Sequence, residues 1–104
     1  MKTLEDIRQR SAKFARERGY EPLQTPKNLA MALNVEAAEL LEHFQWLSPE
    51  QSAALDRDTR DAVAEELADI MLYLVRLADV LEVDILQAVA DKADKNELKY
   101  PLPE

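Results

Sequence analysis

The sequence predicts an all-α fold, a four-helix core with a short connecting helix, assembled as an oligomer. Three observations point there. The chain holds a single Gly and only five Pro in 104 residues, whereas a sheet would need more turn glycine and more β-branched residues. Apolar positions recur at spacings of three and four along most of the chain. One stretch, Ile70 to Val75, is apolar on every side, and a helix that is hydrophobic all round must be buried all round. A domain of this size can hardly enclose one of its own helices completely, so self-association is the expected remedy.

Thr3 is placed to cap a first helix whose stripe is Leu4, Ile7, Ser11, Phe14 and Ala15, with Gly19 as its stop. Tyr20 to Thr25 reads as a loop, because Pro22 and Pro26 forbid continuous helix. Thr25 followed by Pro26 supplies a cap and first helical residue for a second helix, from about Pro26 to about Phe44. Ser48, Pro49 and Gln51 then form a capping-box signal for a short helix, Pro49 to about Leu55. Asp56 or Asp58 caps the longest helix, which runs to about Leu81. Asp84 and Gln87 open a last helix from Ile85 to about Leu98, before Pro101.

Composition narrows the function. Formal net charge is −8, with 21 acidic and 13 basic residues, and a surface of that sign repels polyanions, so no nucleic-acid polymer is expected as a partner. Cysteine is absent, which leaves no disulfide framework and no thiolate metal site. No apolar run reaches membrane-spanning length and the first residues are acidic rather than apolar, so a single soluble domain over residues 1–104, located in the cytoplasm, is expected. A bound divalent cation can reverse the local sign of an acidic pocket, which keeps small anionic ligands in play.

The chemistry is carried by acids that interrupt apolar stripes. Glu66 and Asp69 lie three apart on the longest helix, on the face shared by Ile70 and Tyr73. Glu36 and Glu39 repeat that spacing on the second helix. Either pair alone reads as the solvated flank of an amphipathic helix. Two matching pairs read as facing sets of oxygen ligands for a hard divalent ion, Mg2+ with Mn2+ as a substitute, since nothing softer is present. Without a cation, such crowding raises carboxylate pKa values and costs stability.

Other residues have two readings each. His43, the only histidine, follows Leu40 by three, so it lacks the Glu-x-x-His pattern of di-iron bundles and reads as a surface residue favoured by the helix dipole. Trp46 is either a lid on a helix corner or a surface on which a base stacks. Lys92, Asn96 and Lys99 share one helical face, as solvated residues or as donors for phosphate oxygens and a base edge.

Order and flanking residues sharpen this. Glu36-Ala37-Ala38-Glu39-Leu40 with Phe44-Gln45-Trp46, then Glu65-Glu66-Leu67-Ala68-Asp69-Ile70 with Tyr73-Leu74, then Lys92 through Asn96 to Lys99-Tyr100-Pro101, resembles the MazG-like all-α nucleotide pyrophosphohydrolases, in particular their small dCTP pyrophosphatase branch. The resemblance implies a homodimer or homotetramer that hydrolyses a nucleoside triphosphate, dCTP-like or non-canonical, to monophosphate and pyrophosphate with magnesium. It also implies catalytic and metal-binding roles for Glu36, Glu39, Glu66 and Asp69. Trp46 and Tyr73 match residues near the nucleoside, and Lys92 and Asn96 match the helix that contacts the ligand. The chain departs at Asn34-Val35-Glu36, which lacks the doubled glutamate of other MazG-type enzymes, and at Gln24, where some relatives have histidine. Leu74 after Tyr73 argues against a phosphoribosyl-ATP pyrophosphohydrolase. The rival from another class is a non-catalytic helical interaction module with an acidic groove.

Overall fold

A computed structural model of the chain describes residues 1–103. Five α-helices make up most of it: α1 (Leu4–Glu17), α2 (Pro26–Glu42), α3 (Pro49–Ser52), α4 (Arg57–Val80) and α5 (Ile85–Lys99). No strand occurs among the described residues.

Local capping chemistry sets the helix starts. Thr3 Oγ1 accepts from the Asp6 N–H at 3.0 Å while Asp6 Oδ2 accepts from the Thr3 N–H at 3.2 Å, so two donors at the start of α1 are satisfied reciprocally. Ser48 and Gln51 repeat the box at α3. Thr25, Asp56 and Asp84 cap α2, α4 and α5 through the N–H groups of Asn28, Thr59 and Gln87. The ends are set by backbone geometry. Gly19 follows α1 at φ 67°, and Glu82 follows α4 at φ 57°.

Boundaries differ from the sequence expectation in three places. Glu21–Leu23 forms one 3-10 turn inside the expected loop, because Pro22 suits the start of a turn that it could not continue. Helix α2 ends at Glu42, two residues early, as the chain tightens through Phe44 to Leu47 with three-residue hydrogen bonds. Helix α3 closes after a single turn at Ser52.

Helix α4 is the spine. It packs along α2 over most of its length and against α1 more briefly, and no other helix pair makes more than a glancing contact. Ala15, Leu29, Val75 and Ala78, at most 8% exposed, form the buried centre where these three helices meet. The expected four-helix core is therefore not closed within one chain. Helix α5 leans on nothing substantial of its own, and its Leu86 and Val89 are 62% and 58% exposed. On α4, Leu67, Met71, Leu72 and Leu74 also face outward, so the all-round apolar stretch is not buried all round by this chain alone. The radius of gyration is 16.8 Å, against about 13 Å for a compact domain of this length.

Candidate metal centre and adjoining pocket

The extended α2–α4 contact brings the two acid pairs together. Glu36 and Glu39 on α2 and Glu66 on α4 each offer a carboxylate oxygen, and the three oxygens lie within 4.8 Å of one another. Glu36 Oε2 and Glu66 Oε2 are buried without a hydrogen-bond partner. Such orphaned acceptors are costly unless a proton or a cation meets them. The Glu36 carboxyl is pushed up to about 7, first by the facing carboxyl of Glu66, then by burial and by the charges of Glu39 and Asp69. Asp69 thus lies close enough to act on Glu36 but stands outside the tight trio.

All donors in this cluster are carboxylate oxygens, two of them unsatisfied, and that set fits a hard divalent ion of the Mg2+ or Mn2+ kind. His43 stands beside it. Its Nε2 is 4.0 Å from Glu66 Oε1, and its side chain is 29% exposed. His43 caps the C-terminal end of α2, as a residue favoured by the helix dipole should, and from there its partly exposed ring faces Glu66 of α4 outside the trio.

Asp69 also opens onto a cavity of about 480 Å3 between α1, the 3-10 turn and α4. Ser11 and Phe14 come from α1, Tyr20 and Gln24 flank the turn, and Asp69, Tyr73 and Arg76 come from α4. Arg76 Nε donates to Gln24 Oε1 at 2.7 Å, and its Nη1 donates to Asp79 Oδ2 at 3.1 Å. The other Asp79 oxygen accepts from Arg8 Nη1 at 3.3 Å. This chain of polar contacts ties α1, the Gln24 segment and α4 around the cavity.

Of the residues singled out in the sequence, the structure gathers Glu36, Glu39 and Glu66, with Asp69 and Tyr73 alongside. Trp46, Lys92 and Asn96 do not line the cavity. Trp46 follows α2 at 86% exposure and covers no corner of its own chain, while Lys92 and Asn96 lie on the unpacked α5. Gln24 was marked in the sequence only as a position where some relatives have histidine, and Ser11, Phe14, Tyr20 and Arg76 were not expected here. One signal for Arg76 was available: it lies seven residues after Asp69 and three after Tyr73, hence on their face.

Residues 31–104 match the MazG-like family. The chain belongs to that family. Among curated MazG-like relatives, dCTP pyrophosphatase 1 of Bos taurus is 47% identical over 96% of this chain, and dCTP pyrophosphatase 1 of Homo sapiens is 44% identical over 95%. The chain spans about three fifths of the length of these relatives, 60% and 59%. A solved pyrophosphatase from Archaeoglobus fulgidus DSM 4304 superposes with a TM-score of 0.89 at 40% identity, covering 94% of this chain and 92% of that one. No described helix of this MazG-like chain is long and apolar enough to cross a membrane.

Proposed function

We propose that this chain hydrolyses a nucleoside triphosphate, dCTP-like or non-canonical, to the monophosphate and pyrophosphate with Mg2+, and so cleans the nucleotide pool. The observation that carries the reading is the carboxylate trio with two orphaned oxygens, joined through Asp69 and Tyr73 to a cavity large enough for a nucleoside. The relatives, which are dCTP pyrophosphatases, support it. Glu36, Glu39, Glu66 and Asp69 would hold the cation, which when bound neutralises charge building on the phosphates and makes water easier to ionise. The attacking water forms a bond to the α-phosphorus while the bond from that phosphorus to the bridging oxygen breaks, releasing pyrophosphate. A cluster carboxylate accepts the proton of the water. Tyr73 offers a ring and a hydroxyl to the nucleoside.

Assembly as a homodimer or homotetramer belongs to the same proposal. The accessible surface of 8360 Å2 exceeds the roughly 6,000 Å2 of a compact monomer of this mass, and the surplus has the size that stable subunit interfaces bury. In such an assembly the exposed faces of α4 and α5 would meet other copies, and Trp46, Lys92 and Asn96 could serve the site of a neighbour.

The test is a panel of canonical and modified triphosphates with Mg2+, scored separately for pyrophosphate and orthophosphate, beside Asp69→Asn. Pyrophosphate from one or a few nucleotides, reduced at least about a hundredfold in the variant, is the expected result, as loss of a few kcal/mol of charge stabilisation implies. Silence from folded protein across the panel would instead favour the interaction module.

A further inference from the structure

The cavity beside Asp69 has one polar edge whose hydrogen-bonding sense is fixed by its surroundings. A guanidinium carries only donors, so the Gln24 atom that meets Arg76 Nε at 2.7 Å must be the amide oxygen. The end left over is the NH2 group, which makes no hydrogen bond among the described residues. Arg76 is itself held. Its side chain is 11% exposed and shares Asp79, one carboxylate oxygen each, with Arg8 of α1. Turning the amide over would aim NH2 at the guanidinium, donor against donor, in a partly buried place where a lost hydrogen bond is costly.

We propose that Gln24, oriented by Arg76 and Asp79, is a specificity-determining residue that presents donors alone to the base, and so selects cytosine over uracil. This rests on the functional reading above. The two bases differ at the edge concerned. Cytosine offers the unprotonated ring N3 as an acceptor, and it can receive one amide N–H. Uracil carries a hydrogen on N3, which faces a donor with a donor. Arg76 touches no substrate in this scheme; it is a positioning residue that acts through Gln24.

The experiment compares kcat/KM for dCTP and dUTP on one preparation, in the wild type, Gln24→Glu and Arg76→Met, because a ratio of two substrates cancels general loss of folded or active protein. The wild type is expected to prefer dCTP by about tenfold or more, the discrimination that one mispaired hydrogen bond supports. Gln24→Glu keeps the shape and the Arg76 contact but turns the free end into an acceptor, so the preference should invert toward dUTP. Arg76→Met releases the amide to turn, and the ratio should fall toward unity. A wild type that favours dUTP or a purine nucleotide over dCTP overturns the proposal, and so does a Gln24→Glu variant that slows both substrates by the same factor. Turnover with an unmoved ratio removes this proposal alone, whereas absence of pyrophosphate from any triphosphate in the wild type removes the functional reading beneath it.

Discussion

Glu36 on α2 and Glu66 on α4 face each other across the seam between the two longest helices, and their contact keeps Glu36 protonated up to about pH 7. The two acids lie thirty positions apart in the sequence, and the facing carboxylate makes Glu36 harder to ionise.

This gives the metal-free protein an unusual pH dependence. An ordinary glutamate ionises near 4.5, while folded Glu36 waits until about 7. Between these values the folded state binds the extra proton, so the contribution of Glu36 to stability declines as pH rises from about 4.5 to about 7 and levels off above. The depressed carboxyls at helix starts, Glu5, Asp6 and Asp56, act in the opposite sense and at lower pH. Urea titrations in a chelator at pH 5 and pH 7.5 should give the higher midpoint at pH 5. Glu36→Gln should shrink the difference.

The small buried centre makes single core residues weigh heavily. Leu29 is 2% exposed at the start of α2. Leu29→Ala should cost about 2–5 kcal/mol, read as a lower denaturant midpoint with unchanged slope.

The two helix ends with positive φ should respond in opposite directions. Gly19 sits at φ +67° with nothing within 4 Å of an added Cβ, so Gly19→Ala should lose about 1 kcal/mol from backbone strain alone. Glu82 already bears that strain at φ 57°, and Glu82→Gly should gain about 0.5 kcal/mol after the extra chain entropy of glycine is subtracted. Thermal melts of both variants check the pair.

If the outward faces meet in an assembly, charge placed on one of them should dissolve it. Leu86 and Val89 lie three apart on α5 and are both exposed. Sedimentation of the wild type should give at least twice the 11.9 kDa chain mass, and Leu86→Glu with Val89→Glu should lower it. A wild-type mass of one chain at every concentration would refute the assembly.

What could be read from the sequence was local. Thr3, Thr25, Ser48 and Asp84 act within three residues of their own position, so their caps are written in adjacent letters. The acid pairs were legible for the same reason, since a three-residue spacing puts both carboxylates on one helix face whatever the tertiary fold. The Gln24–Arg76 contact joins residues 52 apart, and no periodicity encodes which loop meets which helix. The turn of His43 toward Glu66 likewise depends on where α2 stops, two residues before the apolar pattern does. For α5 and the Ile70–Val75 stretch, the stripe announced a need for partners but could not say whose side chains would meet it.

If the carboxylate trio takes up a cation as proposed, the proton on Glu36 makes that uptake an exchange rather than a simple addition. An ion settling between Glu36 and Glu66 near neutral pH must evict that proton, and some component of the solution must take it. The heat measured in a calorimeter would therefore depend on the ionisation enthalpy of the buffer, although the ion and the protein stay the same. Acidification of the medium would compete with the cation for a single seat.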